Sequence, residues 1–255
     1  MAHCKKVKDH LTRIPLRNKN YFYKNEIILP DVTIESSEEN NQILHYVTAN
    51  RNIDHHCSTK KFVDIFLRDA HVLRSDAEML TYALGCIDPT LNGLITEFGV
   101  CTGKTINIIA ALNPFSIIAG FDSFEGIQED WRVGAPKYTF KITNGELPPL
   151  LANVDIYKGY FDETIPTFVK DSKGTPLSFI HVDCDLYSST KTIFSMLKEQ
   201  IVPGTIILFD EYFNYDGWER HEHKAFQEFI KETHRTFTYL AYNRYHEQVL
   251  VRINA

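Results

Sequence analysis

Four acidic residues fall in two pairs at the ends of apolar runs. Asp183 and Asp185 close the run Phe-Ile-His-Val, and Asp210 and Glu211 close Thr-Ile-Ile-Leu-Phe. Carboxylates gathered at neighbouring strand ends repel one another, so a cation between them or a shared proton is the expected resolution. Asp185 lies two positions beyond Asp183, on the same strand edge. The alternative role for Asp183 and Asp185 is capping of a helix that begins near Ser188. His181 alternates with Asp183 and faces the same side, where a lone strand histidine is more often part of the core.

A second cluster is the loop Glu97-Phe-Gly99-Val-Cys-Thr-Gly103-Lys-Thr. It falls one residue short of a phosphate-binding G-x-x-x-x-G-K-[ST] loop. It also departs from the dinucleotide fingerprint, because Cys101 takes the place of the middle glycine. What remains is Glu-x-Gly-x-x-x-Gly between a strand and a helix, followed by Asp122 at the end of the next strand. An acid there suits ribose hydroxyls. Glu97 disfavours a pyrophosphate and favours a cationic ligand. Two other readings stay open: a nucleotide hydrolase with a shortened loop, and glycines that only permit tight strand–helix packing.

These residues need a scaffold that aligns several strand ends. From residue 94 short β-branched runs alternate with longer helical ones, which predicts a Rossmann-like, doubly wound, mostly parallel sheet. The last two runs, 236–242 and 247–253, are joined by four residues and predict an antiparallel C-terminal hairpin. Ligands of such sheets bind beyond the carboxyl ends of the strands. Upstream, residues 58–87 show helical periodicity, with Ser75 or Asp76 as an N-cap. The expected organisation is an N-terminal extension and helical cap over 1–90 and a core over 91–255. The cap is a lid or the surface of a homodimer.

Composition narrows the function classes. The 255 residues are 44% hydrophobic and 24% charged, with a net charge of −6 and no long basic run, which argues against a nucleic-acid surface. No apolar run reaches the length of a membrane span. The N-terminus is basic without the apolar core of a signal peptide. Five irregularly spaced cysteines suggest reduced thiols and a cytoplasmic protein. Asp54-His-His-Cys57 reads as a polar loop, since no partner ligands stand at metal-site spacing. His221 and His223, two apart, read as a solvated helix surface.

Taken in order, Glu97–Gly103, Gly120–Trp131, Gly159–Pro166, His181–Thr190 and Phe209–Trp218 resemble the macrocin-type O-methyltransferases, a family of class I S-adenosylmethionine-dependent enzymes that methylate sugar hydroxyls of macrolides. The resemblance spans roughly residues 60–230, and Asp-Ser-Phe-Glu-Gly followed by Asp-x-Asp-x-Tyr-x-Ser-Thr is its specific part. It implies S-adenosylmethionine at Glu97, Gly99, Val100, Thr102 and Gly103, with Asp122 on the ribose. Ser123, Phe124, Gly159, Tyr160 and Phe161 border the adenine, and Asp183 closes the pocket. It also implies a divalent metal, usually Mg2+, at Asp183 and Asp210. Glu211 stands where the family usually has a second aspartate, and its longer side chain could still reach. Two or three oxygens from Asp183, Asp210 and Glu211 would suit magnesium. The ion would lower the pKa of a hydroxyl on a small-molecule acceptor. Asp185 is then a further ligand or the general base, with Asp183 beside it in catalysis. A catalytically silent binding protein of the same fold is the remaining alternative. Trp131, Trp218, Tyr212 and Tyr215 are candidates to line the acceptor pocket.

Overall fold

The computed structural model describes residues 57–142 and 146–254. The basic N-terminal segment and Asp54–His56 lie outside the described residues. Helix α1 (Cys57–Phe66) leads to strand β1 (His71–Leu73) and α2 (Asp76–Gly85). There follow β2 (Leu94–Phe98), α3 (Lys104–Leu112), β3 (Ile118–Asp122), β4 (Val154–Lys158), α4 (Phe161–Ser172), β5 (Leu177–Val182) and α5 (Tyr187–Leu197). Then come β6 (Ile206–Phe209), a 3-10 turn (Trp218–Arg220), α6 (Glu222–Thr233), β7 (Phe237–Asn243) and β8 (Val249–Ile253).

The strands form one sheet in the order β1-β7-β8-β6-β5-β2-β3-β4. Every pairing is parallel except those of β8, which runs antiparallel between β6 and β7. The expected hairpin is present, and its second strand is inserted inside the sheet. Edge strand β1 has no counterpart in the sequence reading, because its three residues sit between two helices whose periodicity masks them. Of the two expected caps, Ser75 is the one that acts: its Oγ accepts the Glu78 amide at 3.2 Å.

Alternation along the strands sorts side chains onto two faces. Ile95, Phe179, Ile206 and Leu208 pack with Met79 and Leu80 of α2 and with Ile106 and Ile109 of α3. Phe98, Ile180, Val182, Ile207 and Phe209 pack on the other face with α1, α4, α5 and α6, through Phe62, Phe168, Phe194 and Phe226. No described helix is long and apolar enough to cross a membrane. Cys86, Cys101 and Cys184 are free thiols.

The histidines after the 3-10 turn are not a solvated surface. The His223 ring packs against Trp218 (4.8 Å), Tyr212 (5.0 Å) and Phe62 (5.6 Å). Burial lowers its pKa from 6.5 to about 4. A group depressed on folding stabilises above its unfolded pKa and loses that contribution as pH falls through the folded one. Urea midpoints should therefore fall more steeply between pH 6.5 and 4 in the parent than in His223→Gln. Identical pH profiles would show that the ring is charged in the folded chain.

Candidate active site

The parity that builds the core also builds the site. Glu97 shares a face of β2 with Ile95, His181 shares one of β5 with Phe179, and Asp210 continues the side of Leu208 on β6. All three fall on the α2–α3 face at the carboxyl ends of adjacent strands. The ladder continues past the strand ends: Asp183 donates its amide to the Phe98 carbonyl and Asp210 to that of Val182, each at 2.9 Å. One donor atom each from His181, Asp183 and Asp210 lie within 4.8 Å of one another.

His181 and Glu97 are fully buried. His181 Nδ1 lies 2.9 Å from Glu97 Oε2, and Thr105 Oγ1 donates to Glu97 Oε1 at 3.1 Å. His181 Nε2 has no hydrogen-bond partner, and its nearest carboxylate, Asp210 Oδ1, is 3.8 Å away. Burial and then the charge of Asp210 push the Asp183 carboxyl well above the usual range. Burial acts the same way on Asp210, but His181, His246 and Gln248 together hold it below that range. Gln248 Nε2 donates to Asp210 Oδ1. Burial disfavours a charge on His181, yet Asp210 and Glu97 raise its pKa well above 6.5. Three carboxyl groups around one imidazole are short of positive charge, and an orphaned nitrogen faces two of them. These residues fit a bound cation.

Asp185 leaves the strand with φ +64 and is buried. Burial pushes its carboxyl up to about 7, with the Arg132 guanidinium pulling the other way. Arg132 pairs with Glu247 at 2.8 Å and lies over Trp131 and Tyr215 at 3.9 and 4.6 Å. Trp131 and Tyr215 thus stand beside the acidic cluster, whereas Tyr212 and Trp218 pack with Phe62 in the core.

The structure brings Asp183 and Asp210 together but does not add Glu211. Glu211 lies outside the group of donor atoms formed by His181, Asp183 and Asp210, and its backbone amide donates to Glu222 Oε2 at 3.1 Å. Burial pushes both carboxyls well up, and Glu211 Oε2 and Glu222 Oε1 have no hydrogen-bond partner. Sequence reasoning missed Glu222, Glu247, Gln248 and Arg132. Glu222 sits in a helix that reads as solvated, and the others carry no motif.

On the far side of β2, Asp122 organises the glycine loop. Its two carboxylate oxygens accept the amides of Cys101 and Phe124, each at 2.7 Å, and its carbonyl accepts that of Gly159 at 2.9 Å. Val100 and Phe124 are buried, and Phe124 takes φ +59. Ser123 Oγ accepts the Glu125 amide at 3.1 Å. Tyr160 caps α4 and Phe161 opens it, edge-on to Phe98 at 5.4 Å. Thr102 is half-buried. Gly103 (φ +80) is the N-cap of α3 and gives its amide to the Val100 carbonyl at 2.8 Å, while the Gly99 amide goes to that of Phe121 at 2.9 Å. The amides of Gly99, Cys101 and Gly103 are thus already engaged within the protein.

Residues 96–212 match the family model described as a methyltransferase domain. Among solved structures the chain is similar to CalS11, a calicheamicin methyltransferase, at 22% identity over 86% of this chain and 93% of that one, with a TM-score of 0.56. The apo form of CalS11, described as a TDP-rhamnose 3'-O-methyltransferase, aligns at 21% identity over 86% and 95%, with a TM-score of 0.52. The O-methyltransferase NovP aligns at 19% identity over 69% and 80%, with a TM-score of 0.51. No curated protein matches the chain.

Proposed function

We propose that this chain, a methyltransferase with the fold of the class I S-adenosylmethionine-dependent enzymes, methylates a hydroxyl of a small molecule with the help of a divalent metal. One observation carries the reading: the sheet order. Asp122 on β3 and the Asp183–Asp210 pair on β5 and β6 flank the glycine loop of β2. A site for ribose hydroxyls and a site for a polarised acceptor would thus stand on either side of one loop, two to three strand spacings or roughly 10–14 Å apart. Burial pushes the Cys101 thiol upward, away from a reactive thiolate.

The roles follow from position. Asp122 binds the ribose, Gly99–Gly103 follow the methionine end, and Ser123, Phe124 and Gly159–Phe161 border the adenine. S-adenosylmethionine, when bound, supplies the electrophilic methyl. Asp183 and Asp210 would hold the metal, which would supply Lewis acidity at the acceptor hydroxyl. Asp185 receives the hydroxyl proton at its carboxylate, which lies buried near neutrality as a general base requires. Orienting acceptor and donor accounts for much of the rate. A sugar-like acceptor is favoured by the sugar methyltransferase among the similar folds and by Trp131 and Tyr215 at the cluster, since aromatic faces suit sugar rings.

The test begins with cofactor binding. Asp122→Ala removes an acceptor of two loop amides as well as the ribose contact, each charge-assisted bond being worth about 1.5–3 kcal/mol. By calorimetry, S-adenosylhomocysteine should bind the parent and bind the variant at least tenfold more weakly. Equal affinities would remove Asp122 from the site. Methyl-labelled cofactor offered with nucleotide sugars, free sugars and phenols then identifies the acceptor class. A parent that binds the cofactor product yet labels none of these would favour the silent binding protein.

A further inference from the structure

We infer that the divalent ion is held by His181 Nε2 together with Asp183 and Asp210, not by Glu211, and that it is a borderline transition ion of the Co2+ or Zn2+ type in preference to Mg2+. The inference rests on the metal-assisted reading above and deepens it.

Three observations carry it. The first is placement: strand parity sets His181, Asp183 and Asp210 on one face with their donor atoms within 4.8 Å, and Glu211 is not part of that group. The second is the orphaned atom. His181 is fully buried, and its Nε2 meets no donor or acceptor at hydrogen-bond distance. A buried imidazole nitrogen without a partner is costly unless a ligand completes it.

The third is the support behind the ring. Glu97 takes Nδ1 at 2.9 Å and is itself fixed by Thr105. A carboxylate on one ring nitrogen sets the tautomer that leaves the other a lone pair, and raises its basicity toward a metal. Gln248 steadies Asp210 in the same way from β8. An imidazole nitrogen in the set favours softer divalent ions over magnesium, which prefers oxygen and retains its water.

The orphaned nitrogen also explains why a carboxylate is buried in β2, a place the sequence reading gave to cofactor contact. Glu97 is a positioning residue acting through His181. Neither residue needs to touch the acceptor.

The experiment measures metal binding by the purified full chain, with S-adenosylhomocysteine present. Co2+ is expected to bind at least tenfold more tightly than Mg2+, and Mn2+ serves as the spectroscopic probe of the same site. The pulsed electron-spin-echo spectrum of bound Mn2+ should show coupling to 14N. Glu211→Gln should keep that coupling. His181→Asn should lose it and bind Co2+ at least tenfold more weakly. Glu97→Gln should retain the coupling with an affinity loss of about 10–100-fold. The parent spectrum decides the question even if a variant does not fold. Bound Mn2+ without nitrogen coupling, coupling that persists in His181→Asn, or Mg2+ binding as tightly as Co2+ would overturn the assignment and leave the metal-assisted reading standing. If none of the three ions binds, both are overturned, while S-adenosylhomocysteine binding tests the cofactor site separately.

Discussion

Gly99→Ala is expected to lower the melting temperature by roughly 8–10 °C and to abolish cofactor binding. At φ +100 the residue occupies a backbone region that costs an L side chain about 1–2 kcal/mol. A Cβ there would lie 1.6 Å from the Asp183 carbonyl oxygen, which is backbone and cannot rotate away. Only a shift of the end of β5 relieves the overlap, at about 1–3 kcal/mol for an over-packed site. Together these give about 3 kcal/mol, or several degrees for a chain of this size. The same shift moves Asp183 itself, so activity falls even in the fraction that stays folded. Gly85→Ala is the control: nothing lies within 4 Å of its added Cβ. That helical change should be neutral or stabilising by about 0.5–1 kcal/mol. Thermal melts of the two variants test the contact, and a Gly99→Ala protein melting within 2 °C of the parent would rule it out.

Asp183→Asn and Asp210→Asn should each lower kcat by at least about 100-fold, the effect of removing several kcal/mol of transition-state charge stabilisation. S-adenosylhomocysteine affinity should stay within about threefold. Removing divalent metal with EDTA should reproduce the loss, and adding metal back should restore only the parent. The two variants should differ in stability. Burial and the charge of Asp210 hold the Asp183 carboxyl high, so its ionised form opposes folding at neutral pH. A neutral Asn there should leave the metal-free chain as stable or more so. The Asp210 carboxylate is held low by His181 and its neighbours, and so contributes stability above its unfolded pKa. Asp210→Asn should therefore melt lower without metal. Equal catalytic loss with opposite stability changes separates a functional charge from a structural one. Full activity in EDTA with Asp183→Asn still impaired would instead make Asp183 a metal-free base.

Much of this was legible in the sequence because strand–helix alternation and acid-terminated apolar runs are local patterns. The runs ending in Glu97, Asp122, Asp183 and Asp210 each became a strand end at one edge of the sheet, as their alternation required. Residues whose roles depend on parity between distant strands were harder to read. His181 looked like a core histidine because its partners, Glu97 and Asp210, are 84 and 29 positions away. Glu211 looked like a ligand because it is adjacent to one, yet β6 ends at Phe209 and Glu211 falls outside the group formed by His181, Asp183 and Asp210. Glu222 and His223 lay in a helix whose charged composition suggested solvent, and only the packing of α1 and the loop after β6 buries that end. Strand β1 was too short for a period to show.

That three-residue strand has a practical meaning for the chain's behaviour outside the folded state. Through β1, His71–Leu73 cover the outer peptide groups of Ala241–Asn243, and the Arg244 amide closes on the Leu73 carbonyl. A polypeptide started at residue 91 would leave that row of β7 uncovered, and with α1 gone it would also bare Trp218 and Tyr212 beneath Phe62. An open strand edge beside uncovered aromatics is a template for adding another chain. Such a fragment should therefore self-associate, and a truncation intended to isolate the catalytic core must keep everything from residue 57 onward to remain monodisperse.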